Sequence, residues 1–220
     1  MAKVQTKICG ITRVSDAAAA CDSGADAIGL NFYSRSKRFV DSETAGAIAK
    51  SVDGKASVFG VFVNSTVGEI QTICESVELT HVQFHGDETP DIVAELRAAL
   101  PKMKTGRAVR ILNDDLKSAQ QEIDAWQKVG VDLVLLDAAS LDAFGGTGTT
   151  LNWEALKQLS FDVPWLLAGG LDPTNVAEAI RLSQAVGVDV ASGVEAEPGI
   201  KDSKLVQGFL SNAEHAFANS

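Results

Sequence analysis

The chain has 220 residues, 45% of them hydrophobic and 22% charged, enough to bury a sizeable core in one large α/β unit or two small ones. Its 29 acidic and 19 basic residues give a formal net charge of −10, a field that repels nucleic acid and anionic membranes. Residues 1–6 carry no apolar secretory core and no stretch approaches a membrane span, while Cys9, Cys21 and Cys74 read as reduced thiols of a cytoplasmic protein and not as a disulfide framework.

Along the chain, short apolar runs alternate with longer amphipathic stretches. Strand candidates are Val4–Cys9, Ala27–Phe32, Ser57–Val63, His81–His85, Gly106–Ile111, Leu133–Asp137, Trp165–Ala168 and Val188–Ala191. Helix candidates begin near Ser15, Ser42, Thr66, Thr89, Asp115, Asn152, Pro173 and Asp202, most with a capping residue or an early proline. Eight strand-then-helix units average about 27 residues each, close to the minimum for a βα repeat. No linker or low-complexity tract divides them. The expectation is a single (β/α)8 TIM barrel over residues 1–220, since a doubly wound sheet usually needs fewer strands. The fifth strand fits least well, because residues 102–110 are polar for a buried position.

Such barrels place their active sites at the C-terminal ends of the strands. At the first of these ends stands Lys7-Ile8-Cys9-Gly10, with Lys7 and Cys9 on one face. A lone Cys is usually a small buried hydrophobe, but this one closes a barrel strand, and Lys7 one layer below favours a thiolate if the two approach. After the second strand comes Tyr33-Ser34-Arg35-Ser36-Lys37-Arg38-Phe39, a basic cluster in an acidic chain. It is either a solvated loop or, through Arg38, a bidentate carboxylate clamp. The fourth strand carries His81, Gln83 and His85 on one face, yet residues four apart on a strand are roughly 13 Å distant, too far for the two imidazoles to share one metal ion. His85 remains a possible contact to substrate. Asp137 ends the sixth strand after four aliphatic residues, well before the next helix. It is either a loop anchor or a catalytic acid whose proton burial would retain. Glycine segments follow: Gly145-Gly146-Thr147-Gly148, Gly169-Gly170 and Ser192-Gly193, of which the last two sit at adjacent strand ends. Together they favour a phosphorylated ligand held by backbone N–H groups.

Read together, the strand ends resemble the phosphoribosylanthranilate isomerase family. The matching pieces are Lys7-Ile8-Cys9-Gly10-Ile11-Thr12, Ser36-Lys37-Arg38, Val82-Gln83-Phe84-His85-Gly86, Leu135-Leu136-Asp137, Gly145-Gly146-Thr147-Gly148, Leu167-Ala168-Gly169-Gly170-Leu171 and Val188-Asp189-Val190-Ala191-Ser192-Gly193-Val194-Glu195, in the family's order over residues 3–203. The resemblance implies an Amadori rearrangement of a small anionic phosphosugar, without metal or organic cofactor. It implies Asp137 as the general acid on the furanose ring oxygen and Cys9 as the general base at C2. It also implies Arg38 on the anthranilate carboxylate, and Gly146, Gly148, Gly169, Gly170, Ser192 and Gly193 around the phosphate. Asp189 would take a supporting role near the site.

Three positions depart from the family's usual pattern: Ala191 where a serine is frequent, Asn152 where an aspartate is frequent, and Thr149 where a basic residue is frequent. None touches Cys9, Asp137 or Arg38. Two other readings compete with the isomerase. A Schiff-base lyase would need an inward lysine, for which only Lys7 qualifies and lies too deep. A metabolite sensor would keep the phosphate site without turnover, against which intact Cys9 and Asp137 argue. The outer helix faces do not define a monomer or a homodimer.

Overall fold

The computed structural model describes residues 4–111, 115–137 and 152–219. Eight parallel strands close into a barrel in sequence order: β1 Thr6–Cys9, β2 Ala27–Asn31, β3 Ser57–Phe62, β4 His81–Phe84, β5 Lys104–Arg110, β6 Leu133–Asp137, β7 Trp165–Ala168 and β8 Val188–Val190. Pairing of β1 with both β2 and β8 completes the ring, with Lys7 opposite Ala27 on one side and Asp189 on the other.

Helices α1 Val14–Asp22, α2 Ser42–Ser51, α3 Val67–Cys74, α4 Ile92–Ala99, α5 Leu116–Lys128, α6 Val176–Ser183 and α7 Ser203–Ala218 surround it. Their starts follow local chemistry. Asp41, Asp115 and Asp202 accept hydrogen bonds from first-turn N–H groups, and Thr66 with Glu69 forms a reciprocal capping box. After β6 the expected α-helix is replaced by a 3-10 turn, Trp153–Gln158, capped by Asn152. Among the described residues no helix is long and apolar enough to cross a membrane.

Strand alternation sorts the core into two parts. Ile8, Ile28, Leu30, Val82, Phe84, Val134 and Leu136 point outward and pack against the helices. Ala27, Phe59, Ala108, Leu133, Leu135, Leu166 and Ala168 fill the barrel itself. Asp137 continues the Leu133, Leu135 series and therefore sits on the inner side at the top of β6.

The polar fifth strand has a specific cause. Arg107 faces the helix layer, buried, where an aliphatic residue would ordinarily stand. It donates to Glu88 at 2.9 Å and to Glu122 at 2.9 Å, and its guanidinium lies 4.7 Å from the Trp126 ring. Thr105 is satisfied by Asp132. The barrel accepts these residues because every charge arrives with partners.

One element had no counterpart in the sequence reading. Past β8, a short hairpin forms from β9 Glu195–Glu197 and β10 Ile200–Lys201, joined by Pro198-Gly199. It lies on the C-terminal side of the barrel, where the Gly199 carbonyl accepts from the Thr12 hydroxyl.

Candidate active site

A cavity of about 290 Å³ opens at the C-terminal ends of the strands. Its lining includes Cys9, Arg38, His85, Asp137, Asp189 and Ser192, together with Gly169 and Gly170. Larger hollows lie elsewhere. One is lined by Val4, Ser57, Thr80, His81 and Lys104 at the opposite rim of the barrel, and it gathers no comparable set of reactive groups. The small cavity is where the chemistry converges.

Its floor is an ion pair. Lys7, fully buried, donates to Asp189 Oδ1 at 2.9 Å, and its ammonium lies 5.4 Å from the Phe59 ring centroid. Cys9 stands directly above on β1. Burial pushes its thiol up, and the Lys7 ammonium opposes that shift from beneath. The net direction is upward, so burial disfavours the thiolate: Lys7 does approach Cys9 from beneath and favours it, yet desolvation outweighs that effect. The opposing effects leave Lys7 raised from its ordinary value, because Asp189 and Cys9 outweigh the cost of its burial.

Asp137 crosses the cavity from Cys9. Its Oδ2 lies 3.8 Å from His85 Nε2, while His85 Nδ1 contacts the Gln83 amide nitrogen at 3.1 Å. His85, a possible substrate contact from sequence, thus stands beside Asp137 in the site.

Arg38 enters from the loop after β2. Glu195 on β9 takes its guanidinium in a bidentate grip, accepting from Nε and Nη2 at 2.7 Å each. Lys201 on β10 donates to the same Glu195 at 2.8 Å and to the Ala191 carbonyl at 2.9 Å. Burial alone would raise Glu195, but its bonds to Arg38 and Lys201 prevail and hold it below its usual range. The Arg38 side chain therefore reaches the cavity as expected, with a protein carboxylate already on one edge.

The glycines divide by position. Gly169 and Gly170 line the cavity, and Ser192 follows from β8. A side chain at Gly193 would collide with the Leu171 carbonyl, so only glycine lets the loops after β7 and β8 approach this closely. Gly146 and Gly148 lie outside the described residues.

Glu195 and Lys201, the partners of the Arg38 side, were not singled out from sequence. Glu195 was visible within the matching motif, but without a role. The available signal was Pro198-Gly199 between two short extended runs, which is hairpin chemistry.

A closed (β/α)8 barrel that gathers a thiol, a carboxylate and a fixed guanidinium at its strand ends is the architecture of a barrel enzyme. The comparisons with known proteins narrow this. The sequence model described as N-(5'-phosphoribosyl)anthranilate (PRA) isomerase matches residues 6–212. Curated N-(5'-phosphoribosyl)anthranilate isomerases from Myxococcus xanthus and Acinetobacter calcoaceticus are 42% and 39% identical to the chain. The first alignment covers 96% of both sequences, the second 96% of this chain and 97% of the relative. The crystal structure of phosphoribosyl anthranilate isomerase from Thermotoga maritima superposes with a TM-score of 0.82 at 33% identity, covering 97% of this chain and all of that one. A phosphoribosyl anthranilate isomerase solved with reduced 1-(o-carboxyphenylamino)-1-deoxyribulose 5-phosphate superposes with a TM-score of 0.78 at 32% identity, over 97% of this chain and 100% of the other. The chain belongs to the N-(5'-phosphoribosyl)anthranilate isomerase family.

Proposed function

We propose that this chain, acting as one catalytic domain over its 220 residues, isomerises N-(5-phosphoribosyl)anthranilate to 1-(2-carboxyphenylamino)-1-deoxyribulose 5-phosphate by general acid–base catalysis. The reaction is an Amadori rearrangement and a step of tryptophan biosynthesis. The observation that carries the reading is the convergence of Cys9 and Asp137, from β1 and β6, on one cavity.

In this reading, Asp137 protonates the furanose ring oxygen as the bond from that oxygen to C1 breaks, leaving an iminium at C1. The iminium acidifies the hydrogen on C2. Cys9 removes that hydrogen as a proton, and the electron pair it leaves flows toward nitrogen to give an enolamine, which tautomerises to the ketone. The acid must hold its proton near neutral pH and the base must lack one, so the two sites need environments of opposite effect. Lys7 supplies a positive charge that works against the burial holding the proton on Cys9. Each of the two groups carries a factor on the order of 100 to 10,000 in rate.

Arg38 holds the substrate carboxylate. Backbone N–H groups of Gly169, Gly170, Ser192 and Gly193 hold the phosphate, joined by Gly146 and Gly148. No residue is assigned to a metal or organic cofactor. The net charge of −10 disfavours nucleic acid and anionic membranes as partners, so the ligand is a small phosphosugar drawn in by local charge. The three free cysteines suit a reducing cytoplasm.

The test is turnover of freshly prepared phosphoribosylanthranilate, followed through its fluorescence and the chromatographic appearance of the ketose. Rapid conversion supports the assignment. A folded protein that binds the phosphosugar and leaves it unchanged would refute it.

A further inference from the structure

The hairpin of β9 and β10 puts a carboxylate, Glu195, where the substrate's own carboxylate is to be read. Its side chain is 4% exposed, and so is fixed in place. Glu195 occupies the Nε–Nη2 edge of Arg38. A guanidinium has five N–H donors in a planar fork, so the Nη1–Nη2 edge is left for a second planar anion. Lys201, itself buried, shares Glu195 Oε1. The cluster of one carboxylate and two cations therefore keeps a net charge of +1 for the incoming ligand.

The placement is over-determined. The Arg38 stem lies directly over Gly10, its backbone N–H donates to the Ser36 hydroxyl at 3.1 Å, and the Lys201 N–H donates to Asp16 at 3.0 Å. Asp16 in turn pairs with Arg13 at 2.7 Å. The loops after β1, β2 and β8 are thereby locked together behind one guanidinium.

We propose that Glu195, carried by the β9–β10 hairpin and balanced by Lys201, is a positioning residue that orients Arg38, so that its free edge selects substrates bearing an aryl carboxylate. This rests on the isomerase reading for the identity of the substrate. It adds to that reading the group that makes Arg38 selective. A free arginine can follow a ligand into many poses, whereas one held by its side edge presents a single line of donors. Carboxylates off that line lose the bidentate contact.

The experiment compares two substrates, phosphoribosylanthranilate and its analogue phosphoribosylaniline, which lacks the carboxylate. Glu195→Gln is expected to cut the preference for the carboxylate substrate by at least ~10-fold, chiefly through KM, the scale for a mispaired polar contact. Glu195→Gln added to Arg38→Ala should cost nothing further in that preference. Should Glu195→Gln fail to fold, Glu195→Asp, which keeps the charge and shortens the reach, is expected to show the same split. Equal losses on both substrates, or additive losses in the double variant, would overturn the proposal. Wild-type failure to turn over phosphoribosylanthranilate would instead refute the isomerase reading. The clamp is then read by anthranilate binding alone, through its fluorescence. Weakening of at least ~5-fold in Glu195→Gln supports it, and unchanged affinity overturns it.

Discussion

Lys7 Nζ and Asp189 Oδ1 lie 2.9 Å apart beneath the Cys9 thiol, with Lys7 wholly withdrawn from solvent. A methyl group added at Gly29 would come within 2.7 Å of Cys9 Sγ and 3.2 Å of Lys7 Nζ, so both side chains fill the space that glycine leaves open. The pair thus does two things at once. It neutralises a buried cation, and it keeps that cation next to Cys9.

The pH dependence follows from the order of effects on Cys9. Burial raises the thiol, Lys7 lowers it, and Asp189 raises it by less than Lys7 lowers it. Removing Lys7 alone would strand a buried carboxylate, so the informative variant is Lys7→Met with Asp189→Asn. Because Lys7 is the stronger influence of the two, the thiol rises further. Activity that depends on thiolate should then appear only at higher pH, with the acidic limb of kcat/KM displaced upward and the rate lowered at any fixed pH below it. A limb that stays in place would detach Lys7 from the base.

The proposed anion site depends on Gly193. Gly193→Ala must push apart the loops after β7 and β8, since its Cβ would meet the Leu171 carbonyl. Substrate KM and the inhibition constant of inorganic phosphate should both rise, on the order of tenfold, as backbone donors leave their positions. Unchanged phosphate inhibition would place the phosphate elsewhere.

His81 sets an acid limit on stability. It is 5% exposed and stacked on Phe59 at 4.0 Å between centroids, and burial, aided by the nearby Lys104 charge, lowers its pKa to about 4. In the unfolded chain it binds a proton near its ordinary 6.5. Stability is therefore complete above pH 6.5 and is lost as pH falls toward 4. The loss amounts to about 3 kcal/mol across that window. Urea unfolding midpoints measured from pH 7 to pH 4 should show this slope in the wild type and a flatter one in His81→Gln.

Arg107 tests the polar strand. Glu88→Ala removes the more buried of its two carboxylate partners, which also accepts from the Asn64 and Gly86 N–H groups, and should cost roughly 1–3 kcal/mol in unfolding free energy. Replacement without loss would mean that Glu122 and Trp126 suffice to hold Arg107.

Much of this architecture could be read from local pattern. The run Leu133–Asp137 and the segment Trp165–Ala168 appear as strands with the boundaries expected, because a strand enclosed on both sides needs an unbroken apolar run. Asp137 stood out for the complementary reason, being polar where such a run stops, and Cys9 because it closes a strand just before Gly10. What local pattern could not reach was pairing across the barrel. Nothing within ten residues of Arg38 foretells Glu195, 157 positions away, or that Lys7 would be neutralised by Asp189, 182 positions away. The helix expected from Asn152 is present with that residue as its cap, but it runs as a 3-10 turn over six residues.

The central claim is that Cys9 is the general base, and the most direct measurement is the turnover number of Cys9→Ala beside the wild type on phosphoribosylanthranilate, with thermal melts of both. The account predicts matching melts and a kcat lower by at least ~100-fold, the scale for loss of a general base. A folded Cys9→Ala protein that retains near-full kcat would contradict it.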